Sequence, residues 1–248
     1  SKEFASVCGH RRKAGSRLFD FLFPTPCACC LKPAGRKRFL CRACEASFSF
    51  YPTENVCKLC GAPVVTGGDI CGRCLAFPYA YEQLVVCSSY SGALRTALHR
   101  YKFYGRADLA PSFALMLYGQ LIRAGATDFD AVVPVPLSKE RLAQRGFNQA
   151  ELIAKQVAKA FGVPCISSAL VRKRDTKQQA LLRRSERSKN IRGAFALCDT
   201  KATQGLRLLL VDDIYTSGAT MGEAAKVLAR AAKSVIACVI AKTTGEKE

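Results

Sequence analysis

The sequence predicts an α/β fold, a mostly parallel sheet with helices on both faces, preceded by a small cysteine-rich module. Three observations carry this. Short apolar runs alternate with helical patterns from about residue 84 onward, as a buried parallel sheet requires. Ten of the 14 cysteines fall between Cys8 and Cys74. The 248 residues, 49% hydrophobic and 23% charged, are enough for one full domain core with a smaller module beside it.

The organisation expected is an N-terminal segment (1–23), a cysteine-rich module (24–80) and an α/β domain (81–248), with the composition changing near residues 75–82. In the first segment, the apolar cluster Leu18–Phe23 is too short to span a membrane and contains Asp20. It also lacks the small-residue cleavage site of a signal peptide, so a reducing cytoplasm is the expected location and disulfides are not. Beyond the boundary, Leu84–Cys87, Ala131–Val135, Phe195–Leu197, Leu208–Val211 and Val235–Ile240 read as strands. Ala93–Phe103, Leu109–Arg123, Lys139–Phe161 and Met221–Ala232 read as helices; in the last, Met221, Ala224, Leu228 and Ala231 line one face. Cys87, Cys165, Cys198 and Cys238 are expected as small core residues.

The module carries a repeat. Cys27-x-x-Cys30 and Cys41-x-x-Cys44 are separated by ten residues, and Cys57-x-x-Cys60 and Cys71-x-x-Cys74 by ten again. A Cys-x-x-Cys turn aims two thiolates at one ion, and two such turns complete a tetrahedral shell. The repeated spacing predicts two structural zinc sites, a double zinc ribbon. Sequential pairing is favoured, with a crossed pairing left open. Iron–sulfur ligation uses the same residue count but fits regularly repeated ribbons less well. Cys29 could replace a neighbour in the first turn. A closed four-thiolate shell has no open position for chemistry.

Lys and Arg number 38 against 19 Asp and Glu, a net charge of +19, so polyanions are the expected partners. Against that background stands Leu208–Val211, followed by Asp212-Asp213 and then Thr216-Ser217-Gly218-Ala219-Thr220. A parallel strand ending at Val211, a small-residue loop and a helix starting near Thr220 or Met221 would make an anion cradle at the carboxyl edge of the sheet. The acids suit vicinal hydroxyls close to that phosphate, as in a ribose 5-phosphate unit. A P-loop Gly-Lys-Ser/Thr and a GxGxxG loop both occur nowhere in the chain, which excludes those nucleotide-binding classes.

The run Leu209–Thr220 resembles the phosphoribosyl-pyrophosphate (PRPP) signature of type I phosphoribosyltransferases. The resemblance implies that Asp212 and Asp213 hold the ribose hydroxyls as the catalytic acids, and that Thr216, Ser217, Gly218, Ala219 and Thr220 hold the 5′-phosphate. Tyr101-Lys102-Phe103-Tyr104-Gly105-Arg106, Val133–Leu137, Arg145–Gln149, Arg172–Gln179 and Asn190–Phe195 follow the ribbons in an order that resembles the ComF family, competence-associated proteins of phosphoribosyltransferase type. Val133 to Leu137 closes a strand at the same edge and could present backbone amides to pyrophosphate, with Val135 and Pro136 as the candidate contacts. Arg141 and Arg145, four apart on one helical face, suit pyrophosphate or a nucleic-acid backbone. The segment Arg172–Arg192 carries nine basic residues against two acids and resembles a mobile hood loop. Tyr101, Lys102, Arg106, Arg145, Arg172, Lys173, Arg174, Lys177 and Arg183 are the expected nucleic-acid contacts, with cations and aromatics mixed as on single-strand surfaces.

Two functions of different class follow. In the favoured one, a PRPP-binding protein of ComF type acts in DNA uptake and natural transformation by binding single-stranded DNA, with other competence proteins as partners. In the alternative, it is an active phosphoribosyltransferase that releases pyrophosphate, with Mg²⁺ bridging the ligand's pyrophosphate and hydroxyls. Neither needs a protein nucleophile, and His10 and His99 are expected to be ordinary.

Overall fold

The computed structural model describes residues 27, 29–34, 40–65, 68–174 and 190–243. Two short helices, α1 (Arg42–Ala46) and α2 (Gly72–Ala76), begin just after Cys41 and Cys71 and carry Cys44 and Cys74, the last ligand cysteine of each repeat. Then come β1 (Gln83–Ser89), α3 (Gly92–Phe103), α4 (Ala110–Arg123), β2 (Ala131–Pro134), α5 (Lys139–Arg145) and α6 (Gln149–Phe161). The order continues with β3 (Leu170–Arg172), β4 (Phe195–Leu197), α7 (Thr200–Thr203), β5 (Arg207–Tyr215), α8 (Ala219–Leu228) and β6 (Ser234–Lys242).

The main sheet is parallel throughout and ordered β1-β6-β5-β2, and a bridge from Val132 to Cys165 extends it past β2. Side chains alternate along β5, so Leu209 and Val211 join one apolar layer with Leu98, Phe113 and Ile153 of α3, α4 and α6. Leu208 and Leu210 join the other, with Ala224 and Leu228 of α8. Helices therefore cover both faces, which is why the strands read as continuous apolar runs.

Four expectations change. Phe195–Leu197 is not in the main sheet but pairs antiparallel with β3, a strand that the sequence pattern did not announce. Lys139–Phe161 is two helices: Gly146 closes α5 at φ 76°, and the Asn148 side chain caps α6 by accepting from Ala150 N at 3.1 Å. β5 runs on to Tyr215 because β6 keeps pairing with it as far as Lys242. Cys87 and Cys238 are buried, but Cys165 is only partly so and Cys198 is exposed.

The cysteine-rich module lies along the free edge of β1. Tyr51 N donates to Cys87 O at 2.9 Å, Leu84 N to Lys58 O at 2.6 Å, and Ser88 Oγ to Ser49 O at 2.6 Å. Its first half contributes Cys27, Cys29 and Ala34 to the α3/α4/α6 layer; its second half contributes Cys57, Leu59 and Cys74 to the α8 layer. The two halves thus straddle one sheet edge and extend both apolar layers past it. Among the described residues, no helix is long and apolar enough to cross a membrane.

Candidate functional site

The β2–β5 ladder ends where Pro134 faces Val211, and Val135 N makes the last bond across it, to Val211 O at 2.9 Å. Prolines at 134 and 136 lack the N–H needed to continue. β5 therefore projects beyond β2, held by β6 alone, and Asp212 and Asp213 lie on that projection inside the strand. The strand does not end at Val211 as expected.

Alternation sends the two acids to opposite faces. Asp213, on the α3 side, is 8% exposed and takes Lys102 Nζ on its Oδ1 at 2.9 Å. Asp212 accepts the Asp213 N–H at 2.8 Å. Loss of water around the Asp212 carboxyl, and then the Asp213 charge, push it up to about 7, against the pull of that N–H, Lys102 and Arg172. After Tyr215, the chain turns through Thr216, Ser217 and Gly218 at φ 81°, and α8 begins at Ala219, earlier than expected. A concavity is lined by Asp212, Tyr215, Thr216, Gly218, Thr220 and Met221. It sets the Asp212 carboxylate against the turn and the start of α8, while Asp213 points to the opposite face of the strand.

The other sequence-derived residues divide. Val135 is 4% exposed, its N–H is spent on Val211 and its carbonyl accepts Asn148 Nδ2 at 3.1 Å; Pro136 has no N–H. Neither of these two can offer an amide to pyrophosphate, which corrects the expectation for them. Arg141 stands on α5 beside Arg145, the two charges close enough to oppose each other. Tyr101 is fully buried and donates to Gln149 O at 2.8 Å, so it cannot stack on a base. Its spacing from Leu94, Ala97 and Leu98 was the signal: these are the inner face of α3.

Lys102 is turned inward to Asp213, and Arg106 holds Asp108 through two bonds of 2.8 Å, so neither is a free surface cation. Arg145 donates to Gln149 Oε1 at 3.0 Å and lies 5.2 Å from the Phe103 ring centre. Burial lowers its affinity for protons, while the Asp213 charge opposes that. Arg172 sits over Phe195 at 5.6 Å. Lys173 and Arg174 are exposed; Arg174 donates to the carbonyls of Asn190 at 3.0 Å and Arg192 at 2.9 Å. Lys177 and Arg183 lie outside the described residues. Phe103 and Tyr104 are 61% and 69% exposed, with the His99 ring centre 4.9 Å from the first and 5.7 Å from the second. Phe103 was not singled out in the sequence, although its helical position, two past Tyr101, puts it on the outer face.

The cysteines meet in sequential sets. The sulfurs of Cys27, Cys30, Cys41 and Cys44 lie within 4.8 Å of one another, and so do those of Cys57, Cys60, Cys71 and Cys74. A tetrahedron with metal–sulfur bonds of about 2.3 Å has edges of about 3.8 Å. The Cys30–Cys41 and Cys60–Cys71 sulfurs are 3.6 and 3.7 Å apart, so both sets fit zinc. Burial raises the Cys27 thiol, but the N–H groups of Cys30, Cys41 and Cys29 outweigh it and bring it to about 6, whereas burial and the neighbouring thiols push Cys44 of the same set up. Cys29 is no ligand here: its thiol donates to Ala93 O at 2.9 Å, and burial pushes it up to about 12.

Comparison with known proteins agrees with both halves. Residues 18–75 match the double zinc ribbon domain and residues 147–248 the phosphoribosyl transferase domain. The DNA utilization protein YhgH of Salmonella typhimurium is 32% identical over 212 residues, covering 84% of this chain and 92% of that protein. Competence protein F of Haemophilus influenzae is 29% identical over 197 residues (77% and 85%), and competence protein ComFC of Bacillus subtilis 27% over 203 residues (79% and 80%).

Proposed function

The chain belongs to the family of YhgH, competence protein F and ComFC, and from that premise we propose that it binds PRPP and acts in DNA uptake through single-stranded DNA. The observation that carries the PRPP reading is the projection of β5. Asp212 and Asp213 stand past the end of β2, beside a glycine-containing turn at the start of α8. Asp212 and Asp213 would accept the ribose hydroxyls, and Thr216 to Thr220 would hold the 5′-phosphate. Mg²⁺, if carried in by the ligand, would take oxygen partners from its pyrophosphate and hydroxyls, with the acids adding negative charge nearby. Lys102, by neutralising Asp213, keeps two adjacent carboxylates tolerable before the ligand arrives.

The DNA reading is supported by the names of the relatives, by the +19 charge and by the exposed Phe103 and Tyr104 on the α3 end next to Lys102. These two rings replace Tyr101 as the stacking surface. Base–aromatic stacking of about 1–3 kcal/mol per base sets the expected loss when both are changed to alanine.

Two assays test the pair of claims. Oligo-dT binding followed at several salt concentrations should weaken steeply with salt and weaken again in the Phe103→Ala/Tyr104→Ala variant. Pyrophosphate release from PRPP, measured with a panel of nucleobases, should be absent. Release with any one base would make the chain a transferase and overturn the binding-only reading.

A further inference from the structure

The floor of the candidate phosphate loop is built from phenols that reach the second metal knuckle, the Cys57-x-x-Cys60 turn of the second metal site. A Cβ on Gly218 would clash with the Tyr215 hydroxyl and stand 2.9 Å from the Tyr79 hydroxyl; one on Gly222 would stand 3.0 Å from the Tyr79 ring. Both glycines are therefore bare where these rings press on the start of α8. Tyr79 and Tyr81 stack with centroids 4.9 Å apart. Tyr81 OH donates to Leu59 O at 2.8 Å, and Leu59 lies between the ligands Cys57 and Cys60.

The hydroxyl hydrogens have a direction. Tyr81 spends its one hydrogen on Leu59 and Tyr215 spends its own on Tyr79, so no hydrogen lies between the Tyr81 and Tyr215 oxygens 3.5 Å apart, and Tyr81 reaches the turn through the stacked Tyr79 ring. Tyr215 donates to Tyr79 at 3.3 Å. Burial pushes the Tyr81 and Tyr215 phenols far above their ordinary range, so these rings stay neutral donors at any working pH. The same knuckle is fixed to the sheet at two further points: Lys58 O accepts from Leu84 N at 2.6 Å, and Gly61 O accepts from Tyr51 OH at 2.6 Å and Lys242 Nζ at 3.1 Å. A metal held by both Cys57 and Cys60 leaves the Leu59 carbonyl between them little freedom. The first knuckle instead meets the start of α3, through the Cys29 thiol on Ala93 O.

We propose that Tyr79, Tyr81 and Tyr215 are positioning residues that hold the Gly218 turn in register with the second metal knuckle, and so set anion affinity at that turn. This rests on reading the turn as the phosphate site. The second ribbon is then part of the ligand site's framework.

Tyr81→Phe and Tyr79→Phe keep the stacked rings and remove one hydroxyl each. Amide hydrogen exchange over residues 216–222 and calorimetric PRPP binding are measured on the full zinc-loaded chain, with zinc content and Tm as controls. Loss of a hydrogen bond predicts about two- to tenfold weaker PRPP binding. It also predicts faster exchange at 216–222, with exchange in α6 and the zinc content unchanged. Unaltered exchange at 216–222 in both variants would overturn the proposal. Should the unmodified chain take no PRPP, the phosphate reading fails on its own, and the exchange comparison still decides the coupling.

Discussion

Asp212 and Asp213 are neighbours in sequence with opposite surroundings, because consecutive residues of a strand face opposite sides of the sheet. Asp213 has a lysine on it at 2.9 Å. Asp212 has an N–H and a nearby like charge, and its carboxyl rises to about 7. A group whose pKa is higher folded than unfolded adds stability below its unfolded value, about 3.9, and loses that stability as pH rises through the folded value. The contribution of Asp212 should thus be present near pH 4 and gone above about pH 7. Thermal melts between pH 5 and 8 should show a decline with pH that the Asp212→Asn variant lacks. Equal slopes in both proteins would refute this account of the pair. Tyr101 teaches the converse: an aromatic beside a lysine is no surface when its hydroxyl is satisfied by Gln149 O inside the core.

At the level of elements, strand identities were readable because parallel strands buried on both faces are apolar end to end: Leu208–Val211 and Val235–Ile240 stood out at once. Their ends were not readable. β5 continues through two aspartates only because β6 continues beside it, a tertiary cause with no local mark. The β3–β4 pair was missed for a related reason, since three-residue strands carry no period. The break between α5 and α6 had a local mark, Gly146 followed by Asn148, which a long run of helix-forming residues on either side concealed. Asn148 works twice, capping α6 and donating to Val135 O at 3.1 Å, so it fixes the helix start against the end of β2. Asn148→Ala should cost about 1 kcal/mol in denaturant unfolding from the cap alone. A variant as stable as the parent would show that the cap contributes nothing.

On the scale of the whole molecule, the cysteine repeat does more than fold itself. Its halves lie on either side of β1, covering an edge that would otherwise be free to pair with another chain, and they extend both apolar layers. Removal of zinc by a strong chelator should therefore lower the Tm of the entire chain, by about 10 °C or more, rather than melt a separate small unit. Two resolved transitions, with the later one unmoved, would contradict that coupling. The parts of the candidate site that are contiguous in sequence, the acids and the loop, were legible as a pattern; the pairing of Lys102 with Asp213 and the place of Tyr79 and Tyr81 under the turn join distant segments and could not be seen until the chain folded. The positive charge of the chain is consistent with a dense anionic ligand at that site. The most direct test is calorimetric titration of PRPP into the zinc-loaded chain and its Asp212→Asn variant, with zinc content and Tm recorded for both. The account predicts one PRPP bound per chain, and loss of that binding in the variant with about two zinc ions per chain retained. No binding by the parent chain, or equal binding by the variant, would contradict it.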